Sequence, residues 1–262
     1  MTRSSGTQRS IFGRCDDCGH LALVEGAASG EVYSRAGYYS RRDGGGAGYA
    51  SYLAEREYRE HKGGRLLDRI IAATGRTPAS LLEVGSGFGF TRQAAADRRI
   101  PSVGVDVNPY AAQSALDLYG FRTFTGTLAQ ALDEEAIRPG AFDLVLHQFV
   151  LEHIPDPIAE LSAVARALAP GGFAAAWIPS AEAVELEVFG AAYRSLRHDH
   201  LHLFSRRSIA RAFRAAGLTL TISETDCSLH LLRGFLDDAE LRALYASGRG
   251  PDLLALAHKE PS

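Results

Sequence analysis

Leu81-Leu82-Glu83-Val84-Gly85-Ser86-Gly87-Phe88-Gly89-Phe90 is the stretch that decides the fold. Two aliphatics, an acid and a valine predict a short buried strand at 81–84. Three glycines at alternate positions break it, and the alanine-rich run that follows predicts a helix over 90–99. Glycines at such a turn bring bare backbone N–H groups against a ligand, with a helix N-terminus behind them. A dinucleotide loop reads G-x-G-x-x-G, whereas this one reads G-x-G-x-G with an acid two residues ahead. An acid there suits a ligand carrying an ammonium group better than one carrying a pyrophosphate.

Downstream the pattern of strand and helix continues. Pro101-Ser102-Val103-Gly104-Val105-Asp106 predicts a second strand that ends in an acid, 23 residues after Glu83, about one strand–helix–strand unit. A carboxylate at that tip suits a ribose, with Val107 beside it. Asn108 and Pro109 open the next helix. Strands are expected at 121–125 and 141–146, a helix at 158–169, a turn at Pro170-Gly171-Gly172 and a fifth strand at 173–178. Ser205 is placed as the N-cap of a helix that ends near Gly217. A sixth strand is expected at 218–223, a helix at 229–246 and a seventh strand at 252–259. The expected fold is α/β, a Rossmann-like, mostly parallel seven-stranded sheet with helices on both faces. Residues 1–75 are expected to form an N-terminal segment and cover helix. Residues 76–262 form the core, with a substrate-side insertion at 179–204.

The loop at 83–89 and Asp106 resemble the class I S-adenosylmethionine-dependent methyltransferases, whose first motif is E/D-x-G-x-G-x-G. The string Phe142-Asp143-Leu144-Val145 through Leu151-Glu152-His153-Ile154-Pro155-Asp156-Pro157 resembles the fourth-strand motif of the small-molecule members, and a P-G-G turn recurs after it. The resemblance spans about residues 50–259. It implies S-adenosylmethionine as cofactor and a small-molecule acceptor, with a natural-product hydroxyl first, an amine or carbon second. It places Glu83 near the methionine ammonium, Gly85, Gly87 and Gly89 as close backbone, and Asp106 on the ribose. Thr127 and Leu128 fall beside adenine, with Thr127 where the family often has an acid. His147 and Gln148 fall near the methionine arm, and Glu152-His153 is a fixing element. An NAD-dependent enzyme and a non-catalytic cofactor-binding member are the other readings.

The acceptor side is read from aromatics and histidines. Tyr38, Tyr39, Tyr49 and Tyr52 flank the glycine run Gly44-Gly45-Gly46, either as a linker or as a cover that closes over the cofactor. Tyr193 and His202 are further acceptor candidates. In His198-Asp199-His200-Leu201-His202 an extended chain would set the three imidazoles on one side. The family's H-x-x-x-F-S pattern selects His200 as the general base, with His198 next, and fixing or adventitious metal binding by the three imidazoles are the competing roles.

Composition narrows the rest. The chain has 262 residues, 46% hydrophobic and 23% charged, with a net charge of −3 and no long basic run, so neither nucleic acid nor membrane is an expected partner. Its oligomeric state is not readable. The polar residues 1–10 are expected to be disordered, without a secretory apolar stretch, and three cysteines suit a reducing, cytoplasmic setting. Cys15-Asp16-Asp17-Cys18-Gly19-His20 has the form of a zinc knuckle. A structural zinc needs four ligands and no second C-x-x-C follows, so a turn with two free thiols is expected and no metal.

Overall fold

The structure is a computed structural model that describes residues 2–5, 8–26, 33–34, 36–39, 51–226 and 236–261. The glycine run at 44–48, Tyr49 and Cys227 lie outside the described residues. In chain order the elements are β1 Thr2–Ser5, β2 Gln8–Arg14, β3 Leu21–Glu25, α1 Arg56–Thr74, β4 Leu81–Val84, α2 Phe90–Asp97, β5 Ser102–Asp106 and α3 Pro109–Tyr119. They continue as β6 Thr123–Thr125, α4 Leu128–Asp133, β7 Phe142–Gln148, α5 Pro157–Ala167, β8 Leu168–Pro179 and α6 Val184–Phe189. The chain ends with β9 His202–Leu203, α7 Arg206–Ala215, β10 Thr219–Asp226, α8 Asp238–Ala246 and β11 Asp252–His258. Among the described residues no helix is long and apolar enough to cross a membrane.

Seven strands form one sheet in the order β10-β11-β8-β7-β4-β5-β6. β4 runs parallel to β5 and β7, and β5 parallel to β6. From β4 the chain winds one way through β5 and β6, then returns to lay β7 on the other side. The strand order therefore reverses beside β4, where ligands of open α/β sheets bind at the carboxyl ends of the strands. The strands lie close to the expected bounds. One difference is at Pro170-Gly171-Gly172: β8 begins at Leu168 and carries this segment within it, with Gly171 at φ 72°. The backbone there is paired with the last strand's end, Gly171 N–H to Lys259 O and Lys259 N–H to Gly172 O.

Contacts divide the chain into two units that do not follow a boundary at residue 75. One comprises residues 1–28, 148–158 and 176–257; the other comprises 29–147, 159–175 and 258–262. In the first, the amino-terminal residues are not a disordered tail. β1 and β2 form an antiparallel hairpin, β3 pairs with β2, and β9 completes a four-stranded sheet through Leu21 opposite Leu203 and Ala22 opposite His202. Phe12, Leu21, Leu186, Tyr193, Leu196 and Leu203 form its core, so the amino terminus and the insertion share one apolar interior. Neither segment buries enough apolar surface alone, which is why no local pattern announces the pairing.

In the second unit, α1 buries Leu66, Leu67 and Ile70 at helical spacing and ends at Gly75 in the left-handed region. Leu53 precedes the helix in a 3-10 turn and is half exposed. α1 crosses α2 closely: a Cβ on Gly63 would stand 2.9 Å from Thr91 Cα. Gly63→Ala should therefore destabilise the protein by about 1 kcal/mol net. Overpacking costs about 1–3 kcal/mol and exceeds the roughly 1 kcal/mol that alanine gains in helix propensity. Urea unfolding of the two proteins measures it, and a more stable variant would show that the helices separate freely.

Candidate functional site

The glycine loop sits at the end of β4 in the second unit. Gly85, Gly87 and Gly89 have φ of 67°, 53° and 83°. The loop is held from beneath by β5: Gly85 and Ser86 N–H both donate to Val105 O, at 2.8 and 3.1 Å, and Gly89 N–H to Ser86 O. Gly87 has a second constraint. The Tyr52 hydroxyl lies 2.9 Å from where a Cβ on Gly87 would stand, so a side chain there would strike the phenol.

Asp106 fixes the next turn. Its Oδ2 accepts from Gly87 N–H at 2.8 Å and its Oδ1 from Asn108 N–H at 2.8 Å. A carboxylate offers about four acceptor positions, so one on each oxygen remains. Asn108 in turn caps α3, its Oδ1 accepting from Tyr110 and Ala111 N–H, while its Nδ2 donates to Tyr33 O. Burial pushes the Asp106 carboxyl above its usual range against the pull of the Asn108 and Gly87 amides.

Glu83 is buried at 4% exposure. Burial pushes its carboxyl up to about 8, with the Asp106 charge adding to the rise and the Thr91 hydroxyl and Arg92 opposing it. Its Oε2 has no hydrogen-bond partner among the described residues. Arg92 is itself spent on β5 and β6, donating to Ser102, Thr123 and Arg122. Two buried carboxyl groups thus stand at one loop without a matching cation of their own.

Aromatic rings pack over this loop. Tyr52 stacks near Phe90 with centroids 5.2 Å apart, Tyr39 lies 4.9 Å from Phe88, and Tyr38 packs on Tyr39. The Arg59 guanidinium lies 4.1 Å over the Tyr52 ring. Val107 is 43% exposed. Thr127 spends its side chain on the backbone, in a capping box with Gln130 that starts α4, and Leu128 is buried behind it. His147 is likewise committed: its Nε2 meets Glu160 Oε1 at 3.0 Å in the buried interior of the second unit. Gln148, the last residue of β7, is half-buried and falls in the first unit.

In the first unit the expected row of three histidines does not form. Residues 198–199 turn, and only 202–203 is strand, so the alternation that would align the rings is broken. His198 is half-buried on the turn. His202 Nδ1 lies 3.2 Å from His20 Nε2, and His20 reaches Ser208. His200 instead packs edge-on against His153, centroids 4.8 Å apart. His153 Nδ1 lies 2.6 Å from Asp199 O. Burial and His153 hold the His200 imidazole well below its ordinary pKa, and burial lowers His153 too. Tyr193, an acceptor candidate in the sequence, is a core residue: it is fully buried and its hydroxyl donates to Pro251 O. Cys15 and Cys18 are free thiols on a tight turn, Gly19 N–H to Cys15 O. That turn is latched to α7 by Ser205 Oγ on Cys18 O and by Arg207 and Arg211 on Asp17.

A family model described as a methyltransferase domain matches residues 55–222. The chain belongs to the methyltransferase domain family. Among curated relatives, the ubiquinone biosynthesis O-methyltransferase of Thiobacillus denitrificans is 35% identical over 147 residues, 53% of this chain and 63% of the relative. That of Xanthomonas campestris is 32% identical over 132 residues, 48% of this chain and 55% of the relative. The chain thus spans less than two thirds of the length of these relatives. Among solved structures, a Burkholderia thailandensis 1,6-didemethyltoxoflavin-N1-methyltransferase with bound S-adenosylhomocysteine covers 99% of both chains at 16% identity and a TM-score of 0.58. An S-adenosylmethionine-dependent methyltransferase of Archaeoglobus fulgidus gives 17% identity, 79% and 99% coverage and a TM-score of 0.58. At these identities the structures show the fold.

S-adenosylmethionine is the cofactor of this methyltransferase family, and the loop's chemistry suits it. The orphan Oε2 of Glu83 and the two remaining lone pairs of Asp106 call for a cation and for hydroxyl donors. A pyrophosphate would meet two carboxyl groups. Asn108, Ser86, Thr91 and Arg92 support the site through contacts that only the fold assembles; the cap at Asn108 is the one of these readable in the sequence.

A carboxyl raised this far predicts pH-dependent binding of a ligand whose ammonium meets it. In the free protein Glu83 is neutral below about pH 8. An ammonium partner favours the carboxylate, so binding below that pH expels a proton. The affinity for S-adenosylhomocysteine should rise about tenfold per pH unit from pH 6 and flatten near pH 8. Calorimetry in buffers of different ionisation enthalpy should count close to one proton released per ligand at pH 6.5. Binding without proton release would show that Glu83 is already ionised.

Proposed function

We propose that the chain transfers the methyl group of S-adenosylmethionine to a hydroxyl of a small, natural-product-like acceptor. The observation that carries this reading is the pair of buried carboxyl groups at the glycine loop. Glu83 has an oxygen without a partner among the described residues, and Asp106 is already oriented by two backbone amides. When bound, the cofactor supplies an electrophilic methyl carbon on a sulfonium. The protein's share is then to bind, to orient and to take up a proton.

Each carboxyl group has its part. Glu83 takes the ammonium, Asp106 the ribose hydroxyls, and the backbone at Gly85, Gly87 and Gly89 leaves room for close approach. Tyr38, Tyr39 and Tyr52 supply flat apolar surface beside them. Uptake of the acceptor's proton is assigned to the Glu152, His153 and His200 group, with His200 first, because its Nδ1 has no partner among the described residues. The choice of oxygen over nitrogen or carbon rests on the curated relatives, which are named O-methyltransferases.

The test has two arms. S-adenosylhomocysteine and NAD are titrated calorimetrically, and deuteromethyl S-adenosylmethionine is incubated with a panel of phenols, aliphatic alcohols and amines, followed by mass spectrometry. The expected result is homocysteine-ligand binding without NAD binding, and label on a hydroxyl. Binding of NAD alone would overturn the reading, and label confined to amines would move it to nitrogen. His200→Ala should leave S-adenosylhomocysteine affinity unchanged and lower turnover by roughly 10²–10⁴. Normal turnover in that variant would remove the proton role from His200.

A further inference from the structure

Glu152, His153 and His200 form a group whose donor atoms all lie within 4.8 Å of one another. Glu152 stands in a 3-10 turn, Leu151–His153, and His200 in the turn before β9; Leu201 N–H to Glu152 O ties the two segments. Glu152 is 1% exposed, and neither of its carboxyl oxygens has a hydrogen-bond partner among the described residues. His153 Nε2 faces Glu152 Oε1 at 3.9 Å, too far for a hydrogen bond. His200 Nδ1 also has no partner among the described residues. A carboxyl group and an imidazole nitrogen are thus buried side by side. Leaving such buried polar groups unsatisfied is costly.

The other ring nitrogen of His153 is held from behind: Nδ1 donates to Asp199 O. A backbone carbonyl behind a ring fixes the tautomer, turns the other nitrogen's lone pair forward and raises its basicity. Nearby cations do not answer the acid. Arg197 is forked onto the Asp199 carboxylate at 2.8 and 2.7 Å, and Arg194 pairs with Asp252 at 3.3 Å. Each arginine has an aspartate of its own, and Glu152 is the acid of this group left without one.

We infer that Glu152, His153 and His200 bind one divalent first-row transition ion, through Oε, Nε2 and Nδ1 respectively. Two neutral imidazoles and one carboxylate suit Zn²⁺, Co²⁺, Mn²⁺ or Fe²⁺ and leave coordination positions open. Mg²⁺ and Ca²⁺ want mostly oxygen donors, of which this group has one side chain. Bonds of about 2.0–2.2 Å hold donors no farther apart than about 4.4 Å, so the side chains must draw in by a few tenths of an ångström. With an ion present His200 Nδ1 would be a ligand, so the proton role proposed for it above belongs to the ion-free protein. The ion-binding claim is independent of methyl transfer, and either can fail alone.

The test uses Co²⁺ as the spectroscopic probe on the full chain, with Zn²⁺ competition. The expected result is one Co²⁺ per chain, visible d–d bands without a thiolate charge-transfer band, and displacement by Zn²⁺. Glu152→Gln and His200→Gln should each weaken binding by on the order of 100-fold. Cys15→Ser with Cys18→Ser should leave it unchanged. S-adenosylhomocysteine binding and the thermal transition report whether each variant is folded. Where one variant unfolds, the other variant and the parent spectrum decide. Failure of the parent to bind Co²⁺ at millimolar concentration would overturn the claim and leave a group that holds a proton only. A thiolate charge-transfer band, or binding lost in the cysteine variant and kept in Glu152→Gln, would equally overturn it by placing the ion at Cys15 and Cys18.

Discussion

The grip of Asp106 on two backbone amides is the constraint on which the cofactor end of the fold depends. One oxygen holds Gly87 in the glycine loop and the other holds Asn108 at the head of α3. A single side chain at the tip of β5 thereby sets the end of β4 and the start of the next helix. Asn108 passes the constraint on, capping α3 and binding Tyr33 O. The loop glycines supply the left-handed conformations, and the Tyr52 phenol at Gly87 shows how close its surroundings come. Charge-assisted hydrogen bonds of this kind contribute about 1.5–3 kcal/mol each. Here they order a loop whose own side chains pack little.

The same arrangement has an electrostatic cost that a ligand removes. Glu83 and Asp106 are both buried, each raised by that burial, and the one arginine near them is engaged on neighbouring strands. A site with two hard-to-ionise acids, whose nearest cation, Arg92, is engaged on neighbouring strands, favours a positively charged ligand with hydroxyl donors. It disfavours a pyrophosphate for the same reason. On a fold shared with dinucleotide enzymes, charge at the end of the first core strand is what distinguishes this loop. With Arg197 on Asp199 and Arg194 on Asp252, Glu152 is, like Glu185, a buried acid of the first unit whose oxygens have no hydrogen-bond partner among the described residues.

The parts legible in the sequence are those whose causes are local. A strand broken by alternate glycines, an acid one strand–helix–strand unit later and an Asn-Pro cap each act within a few residues, and the strands lie where such patterns placed them. Other roles depend on partners distant in sequence. His147 looks like a pocket residue until Glu160, on the following helix, takes its Nε2. Tyr193 reads as an acceptor candidate in the insertion, and the amino-terminal strands supply the apolar interior that buries it. The three histidines share a face only in an extended chain, and the turn at 198–199 sends His200 to His153 and His202 to His20. Thr127, placed beside adenine by resemblance, serves the start of α4. A buried carboxyl oxygen without a partner among the described residues, as on Glu83 and Glu152, leaves no trace in composition or spacing.

The most direct test of this account is S-adenosylhomocysteine binding by Asp106→Asn. Asparagine keeps the volume but offers one acceptor oxygen in place of two, so one of the Gly87 and Asn108 amides must lose its partner and the ribose its charged acceptor. The dissociation constant, measured by calorimetry on protein with an unchanged circular dichroism spectrum, should rise by on the order of 30- to 150-fold, corresponding to about 2–3 kcal/mol. A folded Asp106→Asn protein that binds S-adenosylhomocysteine as tightly as the parent would contradict it.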